Sequence, residues 1–351
     1  ETLLASPQMV LDEVKKETRA VKQKFADPRR TEIQEGSLDI SLEELIHHEQ
    51  VVVTLSKEGY IKRIPSGTYR SQHRGGKGVV SMTTREDDPV RHILVQDTHD
   101  SLLFFTDRGR ILSVKVYQLR ADTSRTTRGV LVQNVVALGE GEKVNALLGV
   151  GPEREADSFL LLATSKGIVK RIRLSAISAI RPSGLIIMNL RPKDDLVSAR
   201  LARDGDDVLM VTEAGMSIRF AVLDITPRLR AAGGVKGISL RKNDKVVSMD
   251  VASEHGHLLV ISRRGFGKLT RLTEYRSQGR AGTGIKTFQL TDRTGRVAAA
   301  EIVDESKEVY VISERAQVLR TSLSEIRRTG RATQGVTIFK PQRGDSVASI
   351  T

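Results

Sequence analysis

The chain has 351 residues, 39% of them hydrophobic, and 56 Lys and Arg against 43 Asp and Glu give a formal net charge of +13, so there is enough apolar matter for one large folded core or two ordinary ones. It has no Cys, which excludes disulfides, thiolate metal sites and cysteine nucleophiles, and no apolar run approaches the roughly 18 residues of a membrane span. The first residues, ETLLASPQMV, carry neither an initiator Met nor a basic-then-apolar leader, and the expectation is an excised fragment of a cytosolic protein.

The first predicted element is a helix over residues 6–26, with Ser6 as its N-cap and Pro7 in the first helical position. Val10, Leu11, Val14, Val21 and Phe25 form an apolar stripe along it. One helix cannot bury such a stripe alone, so a partner domain beyond this sequence is expected. DPRR breaks the helix, and residues 34–49 read as an acidic linker. Residues 1–49 carry 7 basic and 11 acidic groups, net −4, which leaves 49 against 32, net +17, on residues 50–351. A cationic field of that size points to a polyanionic partner, nucleic acid before anionic membrane.

From Gln50 the chain repeats itself. Apolar runs recur as VVVTL at 51, LLFFT at 102, FLLLAT at 159, VLMVT at 208, LLVIS at 258 and VYVIS at 309. Each enters a turn at Gly59, Gly109, Gly167, Gly215, Gly265 or, in the sixth copy, Ala316. A second glycine follows at Gly78, Gly129, Gly184, Gly237, Gly284 and Gly335, at separations of 19, 20, 17, 22, 19 and 19. Further β-like runs lie between and after these glycines, giving four short strands in roughly 50 residues, the pattern of a propeller blade. The expected fold is all-β: six four-stranded blades in a closed disc over 50–351, preceded by one helix and a linker. Two β-sandwiches fit less well, because sandwiches have no fixed internal period.

Cations follow the repeat. Three and four residues beyond the first glycine stand Lys62 and Arg63, Lys170 and Arg171, Arg219, Lys268 and Arg320. Before the second glycine stand Lys77, Arg128 and Lys236, and four before it Arg74, Arg125, Arg280 and Arg331. Solvated strand edges also favour Lys and Arg. Repetition in register, however, would line a rim with charge, which suits a long polymer of regularly spaced phosphates such as double-stranded DNA. With 4% Phe and Tyr and no Trp, stacking on unpaired bases has few candidates. Backbone contact with bending remains.

QHRGGKG, residues 72–78, is the densest such stretch. It is not a phosphate-binding P-loop, because Lys77 precedes Gly78 where Ser or Thr would hold magnesium. Gly75 and Gly76 instead permit a tight loop that turns its amides, Arg74 and Lys77 toward one anion. Gln72, His73, Arg74, Gly75, Gly76, Lys77 and Gly78 resemble the gyrase-A box, Q-R-R-G-G-K-G, of the C-terminal domain of the bacterial DNA gyrase A protein. His73 departs from that pattern and removes a permanent charge. VVVTLSKEGYIKR and THDSLLFFTDRGRILSVKVYQL resemble the same family, so the likeness covers essentially the whole chain.

The resemblance implies a six-bladed β-pinwheel that wraps duplex DNA around a basic perimeter, so that the parent type IIA topoisomerase introduces negative supercoils. It implies that residues 1–33 are a helical remnant of the core or coiled-coil region. The implied partners are double-stranded DNA, the gyrase A core and the gyrase B subunit, in the bacterial cytoplasm at the nucleoid, with no membrane and with the fragment itself monomeric. The family's catalytic tyrosine lies in a region absent here, so no catalytic residue and no cofactor is expected in this chain, ATP and magnesium acting elsewhere in the parent enzyme. No metal site is expected either: His255 and His257 lack a third ligand, and Asp97–Asp100 reads as a turn. Two alternatives remain, the equivalent domain of topoisomerase IV and a protein-binding propeller of the kelch or chromatin-regulator kind.

Overall fold

A computed structural model describes residues 6–27, 31, 43, 45–68, 79–80, 88, 90–124, 126–151, 158–177, 180–252, 255–304, 308–315 and 317–351. Its contacts divide the chain into two units, Glu1–Leu45 and Ile46–Thr351. In the first, Pro7–Phe25 is a helix that begins on the expected proline, where a missing N–H costs nothing. Ser6 is extended, but its side chain makes no capping hydrogen bond, contrary to the expectation. The apolar stripe is exposed, Phe25 to 71%. No described helix is long and apolar enough to cross a membrane.

The second unit is a six-bladed propeller of four-stranded antiparallel sheets. In blade 1 the strands run, from the axis outward, Val90–Asp97, Gln50–Ser56, Tyr60–Pro65 and Val130–Leu131. The innermost strands of the six blades touch one another in a closed cycle. The outermost strand of every blade comes from the following repeat, and blade 6 takes its own from the first repeat: Val79 and Val80 pair with Val318 and Gln317. Each blade is therefore locked to the next by exchanged chain.

The continuous apolar runs become the second strands from the axis, which are covered on both faces. Alternate side chains point to opposite neighbours: Val51, Val53 and Leu55 pack with Leu102 and Phe104 of blade 2, whereas Val52 packs with Tyr310 and Ile312 of blade 6. Truncating one such residue, as in Phe104→Ala, removes contacts on a side chain of 0% exposure and typically costs about 3–5 kcal/mol.

The hairpin after each run explains the first glycine. The amides of Gly59, Gly109, Gly167, Gly215 and Gly265 donate to the carbonyl three residues earlier at 2.9–3.1 Å, and all five have positive φ, which suits glycine. The Ser or Thr ending each run accepts from the amide four residues on, as Ser56 Oγ does from Tyr60 N and Thr212 Oγ1 from Met216 N. Asp88, Asp194, Asp244 and Asp345 accept from amides of the same turns.

One register assignment needs correction. The glycine preceding the exchanged strand in repeat 4 is Gly234, because the strand is Val235–Lys236, and the separation from Gly215 becomes 19, as in repeats 1 and 5. A side chain at Gly129, Gly234, Gly284 or Gly335 would collide with a backbone carbonyl of the strand beside it. Gly237 has another duty: its amide donates to Gly167 O at 2.8 Å, and a side chain there would strike Met210 and Val169.

Candidate nucleic-acid interface

The perimeter consists of the exchanged strands and the loops that lead into them. Aligned on Gly78, Gly129, Gly234, Gly284 and Gly335, the position four residues earlier is arginine in five repeats: Arg74, Arg125, Arg230, Arg280 and Arg331. The Gly237 register hides Arg230. Arg230 and Arg280 are exposed and Arg331 is half-buried. Arg280 donates from Nη1 to Lys236 O at 3.1 Å and from Nε to Asp224 O at 3.0 Å. Arg331 donates from Nη1 to Lys286 O at 2.9 Å. Both side chains thus hold the preceding exchanged strand. Arg74, Arg125 and the whole box from Gln72 to Gly78 lie outside the described residues.

The cations beyond the first glycine do not form an exposed rim. Lys62, Lys170 and Lys268 have 0–1% exposure. Each ammonium is spent mainly on carbonyls of the next repeat's rim loop. Lys62 Nζ donates to Thr127 O at 2.8 Å. Lys170 Nζ donates to Ile187 O at 2.6 Å, and to Arg230 O and Ala232 O at 2.5 Å. Lys268 Nζ donates to Gly330 O at 2.6 Å, to Arg331 O, and to Thr333 Oγ1 at 3.1 Å. Burial pulls each lysine down to about 8.

The arginines one residue on staple blades together. Arg63 Nε donates to Leu119 O at 2.8 Å and Nη2 to Tyr117 O at 3.2 Å. Arg171 Nη1 reaches Val222 O and Ile225 O at 3.3 and 3.4 Å, while its Nη2 pairs with Asp204 and its guanidinium lies 3.7 Å over the Phe159 ring. Arg219 Nη1 reaches Leu272 O and Tyr275 O at 3.1 and 3.4 Å, and its Nε pairs with Asp207 at 2.7 Å. Arg63, Arg171 and Arg219 therefore occupy carbonyls around the short 3-10 turn of the following repeat, groups a single turn leaves unpaired. Arg320 pairs with Glu308, Nε to Oε2 at 2.7 Å. A cation so engaged has few N–H groups left for a phosphate.

Arg128 is half-buried with its guanidinium 3.8 Å from the Tyr60 ring centroid. Lys236 is exposed on the exchanged strand of blade 3, and Lys286 holds the same place on blade 4. Arg228, Arg276, Arg327 and Arg328 add exposed cations to the loops before those strands. Sequence reasoning missed these, although Ile285-Lys286 after Gly284 repeats Val235-Lys236 after Gly234.

Two polar clusters lie elsewhere in the second unit. His48, Asp97 and His99 converge from distant sequence, with His48 Nδ1 2.9 Å and His99 Nδ1 3.5 Å from Asp97 Oδ1. The two rings are stacked, centroids 3.8 Å apart and planes at 20°. One ligand atom from each of the three residues lies within 4.8 Å of the others, close enough to hold a metal ion, and Asp97 Oδ1 also accepts from His99 N at 2.9 Å within the turn expected at Asp97–Asp100. Along the axis a cavity of about 840 Å³ is lined by Arg91, His92, Arg200 and Glu301. There Arg200 bridges Asp250 at 3.0 Å and Glu301 at 3.7 Å, and burial raises Glu301 to about 7.

The repeats have counterparts in known proteins. The family described as DNA gyrase C-terminal domain, beta-propeller, matches at residues 50–97, 100–150, 158–203, 206–253, 256–304 and 307–351, one match per blade. The DNA gyrase A protein of Dehalogenimonas lykanthroporepellens is 42% identical over 357 residues, covering 100% of this chain and 44% of that protein. That of Staphylococcus epidermidis is 38% identical over 353 residues, covering 100% of this chain and 39% of that protein. The chain thus spans less than half the length of these relatives. Among solved structures, a DNA gyrase A C-terminal domain superposes with a TM-score of 0.79 at 25% identity, over 86% of this chain and 99% of that one. The C-terminal domain of a DNA topoisomerase IV superposes with a TM-score of 0.65 at 25% identity, over 87% and 94%. The chain belongs to the DNA gyrase C-terminal domain, beta-propeller family.

Proposed function

We propose that residues 50–351 bind double-stranded DNA along the propeller perimeter and bend it, with little dependence on sequence. In the parent heterotetramer, with the gyrase A core and the gyrase B protein, that curvature presents a neighbouring duplex segment for strand passage and leads to negative supercoiling. The chain contributes binding and bending, and no bond is made or broken by its own residues.

The observation that carries this reading is the arginine four residues before the exchanged strand's glycine in five of six repeats. A polyanion with evenly spaced phosphates matches evenly spaced cations on a rim, and each neutralised phosphate releases condensed counterions. The topoisomerase IV likeness leads to the same ligand class. The six repeats and the near-intact box favour the gyrase A role.

Salt dependence tests it. With one or two phosphate contacts per blade, log affinity for a linear duplex falls against log salt with a slope of about −5 to −11. A protein-binding propeller would show a flat response to salt with DNA, and that outcome rejects the reading.

A further inference from the structure

The rim loop of repeat 4, TPRLRAAGG, differs from its counterparts in one respect. Leu229, the residue before Arg230, is 85% exposed. At the equivalent position repeats 2, 5 and 6 carry Ser124, Gly279 and Gly330. A single exposed leucine is ordinary on a protein surface, but this one stands between two exposed arginines, Arg228 and Arg230, on a backbone fixed from both sides. Arg228 N donates to Arg171 O at 2.9 Å, and Ala232 N donates to Leu229 O at 3.1 Å. The buried Lys170 ammonium draws in Arg230 O and Ala232 O at 2.5 Å. The tip cannot fold back to cover its apolar side chain without breaking these bonds.

We infer that Leu229 is an apolar wedge that enters a groove of bound duplex DNA and opens one base step, with Arg228 and Arg230 seating it on the flanking phosphates. Leucine is among the side chains that unstack base steps in architectural DNA-binding proteins, and a wedge kinks the duplex where smooth bending would be costly. The inference rests on the DNA-binding reading above. It adds a specific place on the perimeter where curvature is concentrated, and it favours flexible pyrimidine–purine steps there.

The chain contains no Trp, so Leu229→Trp places a single reporter at the tip. Because the side chain is exposed, the variant should retain the wild-type circular dichroism spectrum and melting curve. On adding duplex DNA, stacking on bases should quench its emission about twofold or more and cut iodide quenching several-fold. In parallel, Leu229→Ala should keep the salt slope and lose no more than about tenfold in affinity, since the phosphate contacts remain, while end-to-end energy transfer on the duplex shows reduced bending. If the tryptophan binds DNA with normal affinity but its emission and iodide access do not change, or if Leu229→Ala bends DNA as well as wild type, the wedge is wrong and DNA binding still stands. If wild-type protein shows no salt-dependent DNA binding, the underlying reading fails first.

Discussion

Lys62, Lys170 and Lys268 carry positive charge to the rim without exposing any of it. Their neighbours are carbonyl oxygens of loops that bear arginine, so each ammonium acts through the loop it organises. The same position is Leu112, Ile218 and Leu319 in repeats 2, 4 and 6, and all six side chains have 0–1% exposure. The fold thus alternates an apolar plug with a charged clamp. Replacing Lys170 or Lys268 by Met keeps the volume but leaves carbonyls without a donor, at a cost of about 1–3 kcal/mol per buried group that stays unpaired. We expect the variants to melt lower at pH 7 and to exchange amide hydrogens faster in residues 228–232 or 329–333. The pH dependence has a definite sign. Each folded-state value, about 8, lies below the unfolded value of 10.5. The cost of desolvating the charge is therefore fully present below pH 8 and is relieved as pH rises toward 10.5. The stability gap between wild type and either Met variant should widen across that window, and a gap that narrows would show that these ammoniums are not held in a desolvated site.

At the scale of the element, adjacent innermost strands are joined by side chains instead of a backbone ladder. Ser198 Oγ donates to Met249 O at 2.8 Å, and Ser248 Oγ donates to Ala300 O at 2.5 Å. Ser349 occupies the equivalent position on the strand of blade 6, yet its hydroxyl is buried without a partner among the described residues. A staple that is made contributes about 1 kcal/mol, whereas an unmet hydroxyl is a cost. Ser248→Ala should therefore lower stability by about 1 kcal/mol, and Ser349→Ala should leave it unchanged or raise it, as read from denaturant midpoints at constant slope. Equal losses at the two sites would place an unseen acceptor at the blade 6 to blade 1 seam. Much of this element-level order could be read from the sequence, because double-sided burial writes continuous apolar runs and the hairpin writes a glycine at a fixed offset. The exchange of outer strands could not, since a two-residue strand carries no signal of which sheet it joins. The burial of Lys62, Lys170 and Lys268 was legible in principle: a position filled by Leu, Ile and Leu in the other repeats is a core position whatever residue fills it. Reading those lysines by charge alone puts them on the wrong surface, and taking Gly237 for Gly234 conceals Arg230.

For the whole molecule, the exposed cations that remain lie on loops tied to successive blades, so binding and bending have different dependence on any one loop. Affinity sums contacts from every blade. Curvature requires that contacts on different blades be held at once by one stiff polymer with a persistence length of about 150 base pairs, and it fails when the ring loses a link. The strand Val79–Val80, which follows the box directly in sequence, is the link from the first repeat to blade 6. Changing Arg74 and Lys77 together to Ala removes two charges beside that link while leaving Arg230, Arg280 and Arg331 in place. We expect the double variant to bind a duplex of about 150 base pairs within roughly tenfold of wild type, with a salt slope about 2 units shallower, and to lose most of the end-to-end energy transfer that reports bending. Ligating a nicked circle with each protein bound should then trap fewer supercoils with the variant than with wild type. An unchanged bend with weakened affinity would assign the box to binding alone, and the curvature would have to arise from the other five loops.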